Sequence, residues 1–438
     1  MSPTAAPKVK TGFRAARKLV ESLSPLTDSG SDQTTALGGR QGVPPKLSRN
    51  VTALGLVSLC MGMSSAMIHG LLPAFLVTVL GVSILFVGLI EGTAEATTSL
   101  VKIFSGRLSD GLGRRKALVV VGYGLSALTK LLFPVAETAL AILAARTIDR
   151  IGKGIRDAPR DALLADVTPS EIRGSGFGLR TALYTIGAVA GPLTAMGLMT
   201  LSGDNFRLVF WLAAIPGFVS VAVLVIGVKE APNNWPADPQ GPIATSRRDL
   251  WRLNPIYWWA VSVAAILALA RCSPAFLLLK ASSIGIGPAF VPVILVLMNL
   301  VYSASAYPCG VLADMINRRL QLGAGVVLLI GANLVLIFAQ TLWLTAFGVA
   351  LWGLHMGLIQ GLLSAVVADA SPPRLRGTAF AIYDVAVGIA TLIAGIGAGA
   401  LWVAGGAAAT FSAAALLASV AALVLFLRPA PKLVGAAS

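Results

Sequence analysis

The sequence predicts an all-α membrane protein whose twelve transmembrane helices form two pseudo-symmetric six-helix bundles. Three observations predict it. Hydrophobic residues make up 56% of the 438-residue chain and charged residues 12%, where a soluble domain carries about a quarter charged residues. Apolar runs of about 20 residues recur, each long enough to cross a hydrocarbon core of about 30 Å. Two motifs also return at nearly one spacing. Gly106-Arg-Leu-Ser-Asp110 recurs as Gly310-Val-Leu-Ala-Asp314, 204 positions on, and Ala165-Asp166-Val-Thr-Pro169 recurs as Ala368-Asp369-Ala-Ser-Pro372, 203 positions on. A duplicated six-helix unit explains both matches.

In chain order, residues 1–46 read as a disordered basic tail, rich in Ser, Thr, Pro and Gly. Twelve spans follow: 50–78, 84–107, 117–135, 138–166, 173–199, 205–228, 254–279, 287–312, 320–339, 341–369, 375–402 and 404–428. The first six form an N-terminal bundle (47–229) and the last six a C-terminal bundle (254–428). A proline-rich linker, 230–253, joins them and a short tail, 429–438, ends the chain. Arg114, Arg115, Lys116, Arg173, Arg247, Arg248, Arg252, Arg318, Arg319, Arg374, Arg376 and Arg428 share one side with the basic tail; the other side has Arg207 and Lys280. The positive-inside rule therefore expects a multi-pass protein of the cell membrane with both termini cytoplasmic. The net charge of +15 is spread over alternate loops, so nucleic acid is not expected as a partner. Cys60, Cys272 and Cys309 fall in spans without metal-ligand spacing, so neither a disulfide framework nor a metal site is expected.

Span 4 departs from the apolar pattern. Ile142–Asp166 carries nine charges, and Arg146, Asp149, Arg150, Lys153, Arg156, Asp157, Arg160 and Asp161 fall within a helical arc of roughly 140°. Its repeat partner, span 10, is a plain apolar helix ending at the same motif, so span 4 is expected to cross as well. Its charges must then face the protein interior or a water-filled path. On span 2, Glu91, Glu95, Thr98 and Lys102 follow helical spacing on one face. Glu95 lies ~16 Å and Arg150 ~18 Å below the outer ends of their helices, which makes them partners of like depth. Arg180, Arg271, Asn299, His355, Gln360 and Asp384 are further polar groups inside the spans. His69, near the outer end of span 1, reads as an interfacial structural histidine.

The loop Gly106-Arg-Leu-Ser-Asp-Gly-Leu-Gly-Arg-Arg-Lys-Ala-Leu118 resembles the signature loop of the major facilitator superfamily, G-x-L-x-D-x-x-G-R-[RK], at every fixed position. With the repeat, the resemblance covers residues from about 50 to 428. It implies that Gly106, Asp110, Gly113, Arg114 and Arg115 belong to a latch that holds the cytoplasmic side closed. Arg146, Arg150 and Lys153-Gly154 resemble the superfamily's R-x-x-x-R-x-x-G element, associated with proton coupling, with the glycine one position late. Gly187, Gly191, Pro192 and Gly197 are similar to its antiporter element, although Ala195-Met196 replaces the final glycine pair. An ordinary close-packed, proline-kinked helix is the alternative reading there.

These features lead to an expected function: a secondary active transporter working by alternating access, exporting a small organic compound in exchange for protons. Uptake of a small organic anion or metabolite is the alternative, and a non-transporting receptor or scaffold is the alternative of another class. Glu95, Arg150, Glu91, Asp149 and Arg146 are the expected coupling residues. Lys153, Arg156, Asp157, Arg180, Arg271, Asn299, His355, Gln360 and Asp384 are the expected substrate-binding residues. No nucleophile–base pair for an enzyme appears, no cofactor is expected, and the lipid bilayer, protons and a small-molecule substrate are the partners of a monomer. The stripe and its neighbours sum to neutral or mildly positive charge, which favours neutral and anionic solutes over multivalent cations.

Overall fold

A computed structural model describes residues 49–112, 115–168, 173–229, 254–315, 317–371 and 376–427. The tails, the linker, Gly113 and Arg114, and the side chains of Asp110 and Gln360, lie outside the described residues. The described residues are almost wholly helical. Span 1 is Arg49–Thr78, span 2 Ile84–Leu112, and span 3 Arg115–Thr129 with a short turn, Leu132–Val135. Span 4 is Ala139–Asp166, span 5 Arg173–Ser202 and span 6 Phe206–Gly227. Span 7 comes in two pieces, Pro255–Ala270 and Pro274–Ser283. Spans 8, 9 and 10 are Val293–Met315, Arg318–Phe338 and Leu342–Asp369. Arg376–Leu427 holds spans 11 and 12, which part at Gly405 and Gly406, where the backbone leaves helical geometry and Gly406 takes a φ of 69°. Glycine occupies that left-handed conformation without a Cβ clash.

Nine stretches among the described residues are long and apolar enough to cross a membrane. The bend at Gly405–Gly406 divides one of them in two. Span 4 is missing from the nine because of its charges, and span 8 because its apolar part, Val293–Ala306, is shorter.

Several boundaries shift by a few residues, most of all at span 8, expected over 287–312 and helical over Val293–Met315; two differences bear on the motifs. Span 2 stays helical through Gly106 to Leu112. Gly106 therefore makes no turn, and a Cβ there would meet only Ala158 at an ordinary 3.7 Å. Span 7 breaks at Arg271–Ser273. The Ser273 side chain accepts from the Ala275 amide, and Pro274 opens the second helix; a Ser-Pro pair is a helix-start signal.

The packing follows the duplication. Span 1 packs on spans 5 and 6, span 4 on spans 2 and 3, and span 3 on span 6. In the second half, span 10 packs on spans 8 and 9, and spans 11 and 12 pack on the first piece of span 7 and on span 9. The halves meet through spans 2 and 11, 5 and 8, and 1 and 7. The basic loop residues repeat a role as well. Lys116 Nζ donates to the Val225 carbonyl near the end of span 6 (3.0 Å), and Arg319 donates to the Leu425 (2.9 Å) and Phe426 (2.6 Å) carbonyls at the end of span 12. A cation at a helix C-terminus satisfies orphan carbonyls and meets the negative end of the dipole.

Glycines set the distances. Gly187 and Gly191 of span 5 face the backbone of span 1; a Cβ on Gly191 would stand 2.5 Å from the Met63 carbonyl oxygen, and one on Gly187 would run into the Leu59 carbonyl. This is the close-packed reading of Gly187–Gly197, with Pro192 inside the helix. Gly197 has open space around its Cβ position. Gly187→Ala should therefore destabilise the protein by about 1–3 kcal/mol through overpacking, whereas Gly197→Ala should stay within about 0.5 kcal/mol. Thermal unfolding in detergent compares the two, and equal melting temperatures would remove the packing role.

Candidate functional site

The site is built from span 4 outward. Gly152 meets Gly122 of span 3 so closely that a Cβ on either would lie 2.7–2.8 Å from the other's carbonyl oxygen. On the neighbouring face, a Cβ on Gly154 would lie 2.7 Å from Val101 Cβ of span 2, and Ser105 Oγ donates to the Gly154 carbonyl at 2.7 Å. Spans 2 and 3 thus flank span 4, and its charges divide between them. Asp149 and Arg156 stand at one margin of the arc, ~60° and ~80° from Arg146, and turn to span 3. Asp149 Oδ1 accepts from Lys130 Nζ at 2.9 Å with both side chains buried, and the Arg156 guanidinium lies 4.4 Å from the centre of the Tyr123 ring. Arg146 and Arg150 turn instead to spans 1 and 2.

Arg146 holds Glu91 through both carboxylate oxygens, Nη2 donating to Oε1 and Oε2 at 2.9 Å and Nε to Oε1 at 3.2 Å. One turn on, Arg150 Nη1 meets Glu95 Oε1 at 3.2 Å. The two pairs differ in surroundings. Arg146 and Glu91 expose 1% and 11% of their side chains, while Arg150 exposes 6% and Glu95 41%. The Glu95 pair is therefore half open, not buried on both sides as the sequence reading expected. Between the guanidinium groups lies His69, in contact with Arg146 and 3.1 Å from Arg150 Nη2. Arginine only donates, so the imidazole serves as acceptor through a bare ring nitrogen. Nine residues separate His69 from Thr78, which puts it ~14 Å inside the helix end and corrects its reading as an interfacial residue.

The other expected residues scatter along the helices. Arg160 Nη1 meets Asp157 and Nε meets Asp161, both at 3.0 Å, and Arg180 approaches Asp161 at 3.7 Å. Lys102 of span 2 pairs with Asp384 of span 11 at 3.2 Å, which ties the two halves together. Lys153 and Arg271 are half-buried with no ion-pair or hydrogen-bond partner for their side chains among the described residues. Asn299 is half-buried in span 8. His355 is buried, its Nδ1 lies 2.8 Å from the Gly325 carbonyl of span 9, and it stands within the electrostatic reach of Arg271. Arg115, expected in the latch, reaches Asp166 at the end of span 4 at 2.5 Å.

Sequence reasoning missed Lys130 and undervalued His69. Lys130 has a visible signal, since a lysine within the apolar run Leu125–Pro134 needs a partner. Lys130→Met or Asp149→Asn alone strands a buried charge or leaves its partner uncompensated, and each should cost about 3–5 kcal/mol; the double change to Met and Leu should recover most of it. Thermal unfolding of the three purified variants checks this, and a double variant no better than the singles would contradict it.

Residues 54–279 and 262–438 match the family model described as Major Facilitator Superfamily. The chain is 31% identical over 365 residues to an uncharacterized MFS-type transporter of Methanocaldococcus jannaschii, covering 82% of this chain and 89% of that protein. It is 24% identical over 387 residues to the inner membrane transport protein YajR of Escherichia coli, covering 86% and 82%. Among solved structures, a D-xylose-proton symporter aligns with a TM-score of 0.70 at 15% identity, over 88% of this chain and 98% of that one. With its helices, its duplication and its match across both halves, this chain belongs to the major facilitator superfamily, a family of membrane transporters.

Proposed function

We propose that the chain is a secondary active transporter of a small organic compound, working by alternating access and coupled to protons through Glu95. The observation that carries this reading is the contrast between two carboxylates one turn apart. Glu91 is clamped by Arg146 and buried; Glu95 is held by one contact and is 41% exposed. Titratable groups in one site whose environments differ take different roles. Glu91 fixes Arg146, whereas Glu95 can trade its arginine for a proton from water. The likeness to a D-xylose-proton symporter supports the coupling.

Export is the direction favoured by the resemblance of Gly187–Gly197 to an antiporter element. Uptake of a small organic anion is the second reading, favoured by Lys153 and Arg271, whose side chains have no ion-pair or hydrogen-bond partner among the described residues. The proposed location is the cell membrane, and the loop charges support cytoplasmic termini. The latch reading of Asp110 and Arg114 stays with the family resemblance.

Glu95→Gln should abolish proton-driven accumulation in proteoliposomes while leaving substrate exchange intact. Arg150→Ala should lower stability only modestly, because the Glu95 carboxylate it leaves is 41% exposed and screened by solvent. Normal accumulation by Glu95→Gln would reassign coupling to Glu91 or Asp149. For topology, single cysteines at Asn234 and Arg318 in a background lacking Cys60, Cys272 and Cys309 should react only from the cytoplasm, and one at Ser202 only from outside. Outside labelling of Asn234 would overturn the orientation.

A further inference from the structure

Charge is unbalanced at the depth where the two halves meet. Across the described interior of spans 2, 3, 4, 5, 7 and 11, the carboxylates of Glu91, Glu95, Asp149, Asp157, Asp161 and Asp384 are all engaged by Lys or Arg. Nine cations at this depth face these six acids, and two, Lys153 and Arg271, have no ion-pair or hydrogen-bond partner for their side chains among the described residues; Lys280, also without one, is buried close to the end of span 7 and lies away from this level. An isolated charge at membrane depth is costly, so two of them left unpaired call for an anion that the protein itself does not supply.

The two cations stand at one level on opposite halves. Lys153 lies 14 residues from the start of span 4, ~21 Å, and Arg271 lies 12 residues from the end of span 7, ~18 Å. Glu95, at ~17 Å on span 2, stands in the field of Arg150, Lys153, Arg146 and Arg271 together. Lys153 and Arg271 therefore address one region from either side. Arg271 also sits at the break in span 7, beside the N-terminus of Pro274–Ser283 that Ser273 caps. The positive end of that helix dipole adds to the same field. Tyr302 of span 8 and Tyr383 of span 11 stand within the electrostatic reach of Arg271, offering a hydroxyl to an acid group and a ring face to an organic body.

We infer that the transported compound is an organic anion whose acid group, a carboxylate or phosphate, is held between Lys153 and Arg271 at mid-depth. This rests on the transport reading and narrows its substrate class. It holds for either direction of movement. Neither cation has a direct partner among the described residues, Glu95 acting on both and Asp157 on Lys153 only through their fields, so Lys153→Gln and Arg271→Gln should fold about as stably as the parent when no ligand is present.

The test uses the purified full chain in detergent, with benzoate, phthalate and phenyl phosphate as probes, and benzamide and benzylamine as neutral and cationic controls. At millimolar concentration at least one anion should raise the melting temperature while the controls do not. Lys153→Gln and Arg271→Gln should each weaken that anion's apparent affinity at least tenfold, and Arg271→Lys should restore most of it. Equal stabilisation by benzamide or benzylamine, unchanged anion affinity in both Gln variants, or no stabilisation by any of the three anions overturns the inference. Counterflow in liposomes separates this from the transport reading. An anion that binds through these residues but is never exchanged leaves the site standing and removes transport; exchange of benzamide in place of the acids does the reverse.

Discussion

Everything in the first half turns on the rule that a charge in a membrane interior needs a partner within reach. Span 4 carries too many charges to be tolerated by one neighbour, so it is flanked by two. Gly152 and Gly122 bring span 3 close enough for Lys130 to reach Asp149, and Gly154 brings span 2 close enough for Glu91 and Glu95 to reach Arg146 and Arg150. The glycines and the charges are parts of one device. Without backbone contact the side chains would not span the gap, and without the ion pairs the charged helix would not stay at membrane depth.

His69 adds a constraint that the ion pairs alone do not impose. Two guanidinium groups a turn apart repel each other, and the uncharged imidazole stands between Arg146 and Arg150 with Nε2 in reach of both. With one lone pair on Nε2 it accepts from one guanidinium at a time while touching both, and so ties span 1 to the pairing of spans 2 and 4. A change at Glu95 that frees Arg150 is then felt in span 1, which packs on span 5 and touches span 7 of the other half. That is a contiguous route from one carboxylate to the boundary between the halves.

Much of the architecture was legible in the chain. The repeated motifs and apolar lengths indicated the helices, and the equal depth of Glu95 and Arg150 indicated their contact. The failures have physical causes. A helical wheel places Asp149 in one arc with Arg146, but 60° is enough to aim it at a different neighbour, and which helix stands there is a tertiary fact. Lys130 was overlooked because its partner lies 19 residues away on another helix. The polarity of His355 within a span suggests a binding role, but the carbonyl of span 9 against its Nδ1 is a tertiary contact that helical spacing does not reveal. The break in span 7 was written in Ser273-Pro274, but the apolar run through it hid the signal.

The duplication makes the remaining asymmetry informative. Spans 4 and 10 are repeat partners, yet span 4 is crowded with charge while span 10 among its described side chains offers His355, already bonded. The second half therefore meets the first with little more than Arg271 and Asp384. Asp384 pairs with Lys102 across spans 2 and 11, and that pair is partly exposed, so solvent screens it and it contributes little energy. Elsewhere the same two helices touch backbone to backbone, where Gly88 and Gly92 meet Gly395 and Leu392. One stretch of the interface is thus packed backbone to backbone, and the other, where Gly388 lies against the Ser99 side chain, adds an ion pair that water can replace. In the alternating-access cycle proposed above, the Lys102–Asp384 end of spans 2 and 11 is the end whose ion pair is lost at the smaller energetic cost.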